Sequence, residues 1–223
     1  MTIIGIDFSL NSPSVCVFNG ERIDFISLFN TEGLEWKREK PLKKFQYHNE
    51  LDGIVRLVPY ERGRQASGGF GKYSDEQVVK TLDANMIASL VLDQIKPYME
   101  AGWLVSLEGF AYASKGASFI DLIMFNSFLR KAVADEFGAD RLLVIAPTEA
   151  KKFAGKGNAD KEYMIKAFVD NKFGDEFLEA TPFYKYIVNI SPDYRNIKPI
   201  DDLVDSYWIM RTAMDKYSKS LCS

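Results

Sequence analysis

Four acidic side chains in this 223-residue chain stand where charge is costly or where geometry gathers it. Asp7 falls at the end of the apolar run Thr2-Ile-Ile-Gly-Ile-Asp-Phe8, and Glu108 closes Trp103-Leu-Val-Ser-Leu-Glu108. A carboxylate at the end of a buried strand is unfavourable unless it is paired or binds a metal. Asp202 and Asp205, three residues apart at the start of a helical stretch, point from one face. If the first and fourth strands are neighbours, all four carboxylates converge at one sheet edge. Empty, such a cluster holds protons tightly, and divalent cations relieve it. Oxygen-only ligands favour Mg²⁺ or Mn²⁺ over zinc. Two such ions about 4 Å apart activate a water and stabilise the leaving oxygen of a phosphodiester. Each residue also has a plainer reading. An Asp after a strand is an ordinary turn former, and Asp201, Asp202 and Asp205 in a first helical turn complement the helix dipole. Type and spacing define a candidate acidic metal site and no more.

The elements that must position these residues are legible as alternating runs. Thr2–Phe8 reads as a buried strand that breaks at Ser9-Leu-Asn-Ser-Pro13. Val15-Cys-Val-Phe18 and Arg22-Ile-Asp-Phe-Ile-Ser-Leu28 form two more strands, joined by the hairpin signal Asn19-Gly20. Ser74-Asp-Glu-Gln77 resembles a capping box. Val78, Leu82, Met86, Ile87, Leu90, Val91 and Ile95 then mark the apolar face of a helix ending near Pro97. After the strand ending at Glu108, a helix over about 117–137 stops at Gly138, and Leu142-Leu-Val-Ile-Ala146 is a further strand. Pro147 opens a short helix, Asp160–Phe168 continues helically, and Ile200–Lys216 closes the chain as a helix. The order βββ-α-β-α-β-α-α predicts an α/β fold, a mixed sheet flanked by helices.

Residues 29–74 stand apart. Over 36–72, nine Lys or Arg face four Asp or Glu, and Gly63, Gly68, Gly69 and Gly71 suggest a loop, part of which can extend the sheet. The whole chain is otherwise slightly acidic, with 28 Lys plus Arg against 31 Asp plus Glu and a net charge of −3. That excludes a generally basic nucleic-acid binder and leaves room for a local basic surface. Hydrophobic residues at 47% predict a packed core. The length fits one domain, here 1–223 with the basic glycine-containing insertion at about 29–74. No apolar run reaches the roughly 20 residues of a membrane span, and no signal peptide is evident. Cys16 and Cys222 are too few and too far apart for a disulfide framework or a zinc site. A cytoplasmic location is expected.

Competing chemistries fare worse. Gly68-Gly-Phe-Gly-Lys-Tyr73 is no phosphate loop of the P-loop type, because Ala66 and Tyr73 occupy required Gly and Ser/Thr positions. His48, the single histidine, lies in the basic segment and offers no catalytic dyad. Tyr207 and Trp208 follow the acidic pair and read as core residues.

Four blocks occur in order: Ile4-Gly-Ile-Asp-Phe-Ser-Leu-Asn-Ser-Pro13, Ser106-Leu-Glu-Gly-Phe-Ala-Tyr112, Ala146-Pro-Thr-Glu-Ala-Lys-Lys-Phe-Ala-Gly-Lys-Gly-Asn-Ala-Asp-Lys161 and Asp202-Leu-Val-Asp-Ser206. They resemble the RuvC-type Holliday junction resolvases of the ribonuclease H-like nuclease superfamily. The third block is the most specific. The first is shared with actin-like ATPases, whose second glycine-rich domain and Asp-x-Gly-Gly motif find no place here. The match spans about two thirds of the chain and leaves out 29–74 and about 172–198.

The resemblance implies a ribonuclease H-like fold and hydrolysis of four-way DNA junctions to 5′-phosphate and 3′-hydroxyl ends. It assigns two Mg²⁺ ions (Mn²⁺ substituting) to Asp7, Glu108, Asp202 and Asp205. It implies that Lys152 and Lys161, joined by Lys151 and Lys156, hold phosphates and offset developing charge. Phe110 or Tyr112 would stack at the junction core, a contact worth roughly 1–3 kcal/mol per base. A homodimer follows from the two symmetric nicks that resolution needs. A flap, packaging or RNA–DNA hybrid nuclease shares this site, and a non-cleaving junction-binding module is the alternative of another class; retention of all four acids favours an enzyme. The location becomes the host cytoplasm if the branch is a phage or viral one. The basic segment and the run Phe183-Tyr-Lys-Tyr-Ile-Val188 depart from the family pattern.

Overall fold

The computed structural model describes residues 1–8, 11–31, 50–63, 71–99, 102–110, 117–195 and 197–222. Its centre is a six-stranded sheet, β1 (Thr2–Asp7), β2 (Ser14–Phe18), β3 (Ile23–Asn30), β4 (Arg56–Tyr60), β5 (Trp103–Glu108) and β6 (Leu142–Ile145), in the order β4-β3-β2-β1-β5-β6. The β1–β2–β3 meander is antiparallel, while β1–β5, β5–β6 and β3–β4 are parallel. At the first hairpin, Asn19 Oδ1 accepts from the Glu21 and Arg22 N–H groups at 3.0 and 2.9 Å, and Gly20 takes φ 97°. The strand β4 is drawn from inside the basic segment, so that segment contributes a sheet edge. The stretches 32–49 and 64–70, with His48, lie outside the described residues.

Strand alternation divides the core in two. Ile4, Ile6, Val15, Val17, Val105 and Leu107 face helices α1 (Lys72–Ile95) and α2 (Ala117–Phe137). Ile3, Cys16 and Phe25 face the other layer, built from α3 (Pro147–Ala154), α4 (Lys161–Val169), α5 (Glu176–Ala180), α6 (Pro182–Asn189) and α8 (Ile200–Leu221). The short α7 (Pro192–Arg195) precedes α8. Burying each large apolar side chain in these layers contributes about 1.5–3 kcal/mol. No helix among the described residues is long and apolar enough to cross a membrane.

Two expectations change, and one segment gains an assignment. The helix α1 starts at Lys72, with Gly71 at its N-cap and no side-chain cap, so Ser74-Asp-Glu-Gln77 forms no capping box. Its buried face is Asp83, Ala84, Ile87, Ala88, Val91, Leu92 and Ile95, leaving Val78 and Leu82 exposed. Asp83 turns inward because Arg62 Nε (3.1 Å) and the Gly63 N–H (2.7 Å) donate to it, a polar anchor that periodicity does not register. The run over 183–188 is helical, and it buries Phe183 and Ile187 against the α8 layer.

The last helix is locked in place. Gly5 of β1 lies directly beneath it: a Cβ there would sit 2.3 Å from the Ser206 carbonyl oxygen and 2.4 Å from the Met210 nitrogen. Further along α8, Trp208 Nε1 donates to the Met164 carbonyl (3.1 Å), Tyr207 donates to Asp175 (2.9 Å), and Arg211 pairs with the same Asp175.

Candidate active site

Register and alternation decide where the acids point. The pairs between β1 and β5 end at Ile6 with Leu107, both in the α1–α2 layer, so Asp7 and Glu108 follow side by side. One residue further on a pleated strand is the opposite face, which is the face α8 covers. Asp202 lies in the first turn of that helix and Asp205 one turn on. The chain thus brings its four predicted carboxylates to the same end of the sheet.

Their electrostatics report the crowding. Burial pushes the Asp7 carboxyl well above its ordinary value, and the charges of Asp202, Glu108 and Asp205 push it further, against Lys198. Burial raises Glu108 to about 7; Lys151 and Lys161 oppose the shift and Asp202 adds to it. Burial and then the Glu108 charge raise Asp205 to about 7, with Lys161 opposing. Asp202 is also raised, first by burial and then by Asp201, despite Lys198 and Ser12. The common cause is desolvation of several anions in one place.

Lysines neutralise this cluster. Lys198 Nζ donates to both Asp202 oxygens at 2.6 Å, and the Ser12 hydroxyl donates to Oδ2 at 2.5 Å. Lys161, the first residue of α4, pairs with Asp201, whose other oxygen is buried without a hydrogen-bond partner among the described residues. Burial lowers the Lys161 ammonium, but the Asp201 hydrogen bond and the charges of Asp201, Asp202 and Asp205 outweigh it and leave the group raised. Lys151, half-buried on α3, acts on Glu108, whereas Lys152 on the same helix is exposed. Lys156 is exposed, its Nζ 4.8 Å from the centre of the Tyr163 ring. That ring fills the space beside Gly155, where a Cβ would lie 2.1 Å from the Tyr163 hydroxyl and would have to displace the ring.

Phe110 follows Glu108 through Gly109, whose N–H donates to the Ile145 carbonyl at 2.6 Å. Its ring packs edge-on to Phe119 (6.1 Å) and under the Arg130 guanidinium (4.6 Å). Tyr112 lies outside the described residues. Ser12, Lys198 and Arg130 were not singled out in the sequence. Only Lys198 carried a signal, standing four residues before Asp202 with Pro199 between them.

The donor set suits a hard divalent cation: all oxygen, desolvated and mutually repelling. As the side chains stand, no group of three or more among the described residues converges closely enough to hold an ion; Asp202 is paired with Lys198 and Asp201 with Lys161. The chemistry fits, with lysines in the cations' role. A groove of about 650 Å³ lined by Glu162, Lys166, Asp193 and Arg195 shares none of these residues.

No family model and no curated protein sequence matches the chain. Its α/β architecture, however, has a counterpart among solved structures. A structure of T. thermophilus RuvC in complex with Holliday junction substrate aligns over 99% of this chain and 96% of that one, at 13% identity and a TM-score of 0.50. At that identity the likeness is one of fold. Thermus thermophilus RuvC (12% identity, 97% of each chain, TM-score 0.49) and the yeast mitochondrial Holliday junction resolvase Ydc2 (16%, 98% of this chain and 82% of that one, 0.46) are similar as well.

Proposed function

We propose that the chain is a metal-dependent endonuclease that resolves four-way DNA junctions by paired phosphodiester hydrolysis, acting as a homodimer. One observation carries this reading. Adjacent parallel strands end in Asp7 and Glu108 on the face where α8 presents Asp202 and Asp205, with lysines of the 146–161 block around them. The RuvC fold, seen elsewhere in complex with a junction, supports branched DNA as the substrate.

In this reading Asp7, Glu108, Asp202 and Asp205 hold Mg²⁺, or Mn²⁺ in its place, and the cations supply activation of the attacking water and stabilisation of the departing 3′-oxygen. The chain's own residues do the remainder. Lys151, near Glu108, and Lys161 offset phosphate charge at the reaction centre. The exposed Lys152 and Lys156 bind flanking phosphates, which positions the strand without reading its sequence. Phe110, kept in place by Phe119 and Arg130, offers a ring edge and face to an unpaired base. Tyr112 is the alternative residue for that role. The basic segment would clamp DNA, recruit a partner or alter dimerisation.

The test is cleavage by the protein and by Asp7→Asn of labelled four-way junction, flap, duplex and RNA–DNA hybrid, with Mg²⁺, Mn²⁺ or chelator. Symmetric nicks in the junction alone, dependent on metal and on Asp7, are expected, while Asp7→Asn still binds the junction. Equal cutting of flaps or hybrids makes the chain a broader nuclease of this fold. No cutting, with binding intact, makes it a junction-binding module.

A further inference from the structure

Resting on the metal-dependent reading above, we infer that Lys198 is a resident counter-ion of the site, which a divalent cation must displace from Asp202 before it binds. The geometry is specific. Lys198 Nζ spans both carboxylate oxygens of Asp202 at 2.6 Å, leaving Ser12 as the other donor to Oδ2. Asp202 is almost fully buried, at 3% side-chain exposure, so a charge there needs a partner at all times. The same ammonium also acts on Asp7, the acid at the end of the neighbouring strand. One lysine therefore serves two of the four carboxylates, from different elements.

Lys198 is built to leave. Its side chain is 37% exposed and precedes α8, so the ammonium can swing to solvent or to a phosphate while the carboxylates stay fixed by the sheet and helix. A lysine carries its charge on a flexible four-carbon stem and suits such an exchange better than arginine, whose fork locks onto a carboxylate. While Lys198 remains, both Asp202 oxygens are engaged. The exchange keeps cation affinity low in the free protein. It also frees a positive charge beside the site as the cation enters, where the DNA backbone can take it.

The test is Mn²⁺ binding to the full chain without DNA, followed by calorimetry and by the paramagnetic signal of free Mn²⁺, in the native protein, Lys198→Met and Lys198→Arg. Removing the competing charge is expected to tighten Mn²⁺ binding about tenfold or more in Lys198→Met, while Lys198→Arg binds no more tightly than the native protein. Lys198→Gln, which keeps a donor without the charge, gives the same gain and covers a methionine variant that fails to fold. Mn²⁺ also raises the melting temperature of the uncharged variants more than that of the native chain, since it restores a partner to Asp202. Equal affinity in all variants, with Mn²⁺ bound, overturns the exchange and leaves the metal site standing. Weaker binding in the uncharged variants overturns it too and makes Lys198 a support of the site. Absence of Mn²⁺ binding in every protein overturns the metal reading and this inference together.

Discussion

At the residue scale, the acids were legible because a carboxylate closing an apolar strand is an anomaly that asks for a partner. Their partners were less so. Ser12 lies 190 residues from Asp202, a contact that no local pattern encodes. The raised carboxyls have a measurable consequence. Glu108 and Asp205 rise to about 7 in the folded chain, from ordinary values of 4.5 and 3.8. Between those limits the folded state keeps protons that the unfolded state has released. Metal-free stability therefore falls as pH rises through this window and levels off above it. Urea midpoints in chelator should be lower at about pH 8 than at about pH 5.5, and Asp205→Asn should flatten the difference. A midpoint that climbs over this range would show that other groups control the linkage.

At the element scale, the chain's strands and long helices followed from period and punctuation: β1, β2, β3, β5, β6, α2 and α8 lie close to their expected places. What failed did so for a tertiary reason. The face of α1 is turned by the Asp83 pairing with Arg62 and Gly63, which hydrophobic spacing does not record, whereas β4 is the part of the basic segment expected to extend the sheet, added along the edge of β3. Gly5 shows how closely the site depends on such packing. In Gly5→Ala the new methyl group meets backbone atoms of Ser206 and Met210, which cannot rotate away. The substitution should cost at least the 1–3 kcal/mol typical of overpacking, roughly, and move the acidic pair away from Asp7. Chemical denaturation gives the first quantity. Loss of cleavage in protein that still folds gives the second, and an unchanged unfolding midpoint would mean that α8 sits less tightly on β1 than described.

At the scale of the whole molecule, a chain of net charge −3 is proposed to grip a polyanion, so the grip must be local. Junction affinity should fall steeply with salt, and removing Lys152 and Lys156 together should reduce the slope of log affinity against log salt by about 2. A slope unmoved by that pair would transfer the phosphate contacts to other lysines, those of the basic segment first. The docking of α8 across β1 has a consequence in time. The two halves of the acidic cluster are far apart along the chain, and contacts at that separation form late, after the costs of long-range closure are met. A copy in which the helix is not seated on the sheet holds Asp7 and Glu108 without their counterparts. Under the proposed function, such a copy should not cut DNA, so assembly of the last helix would be the step that arms the site.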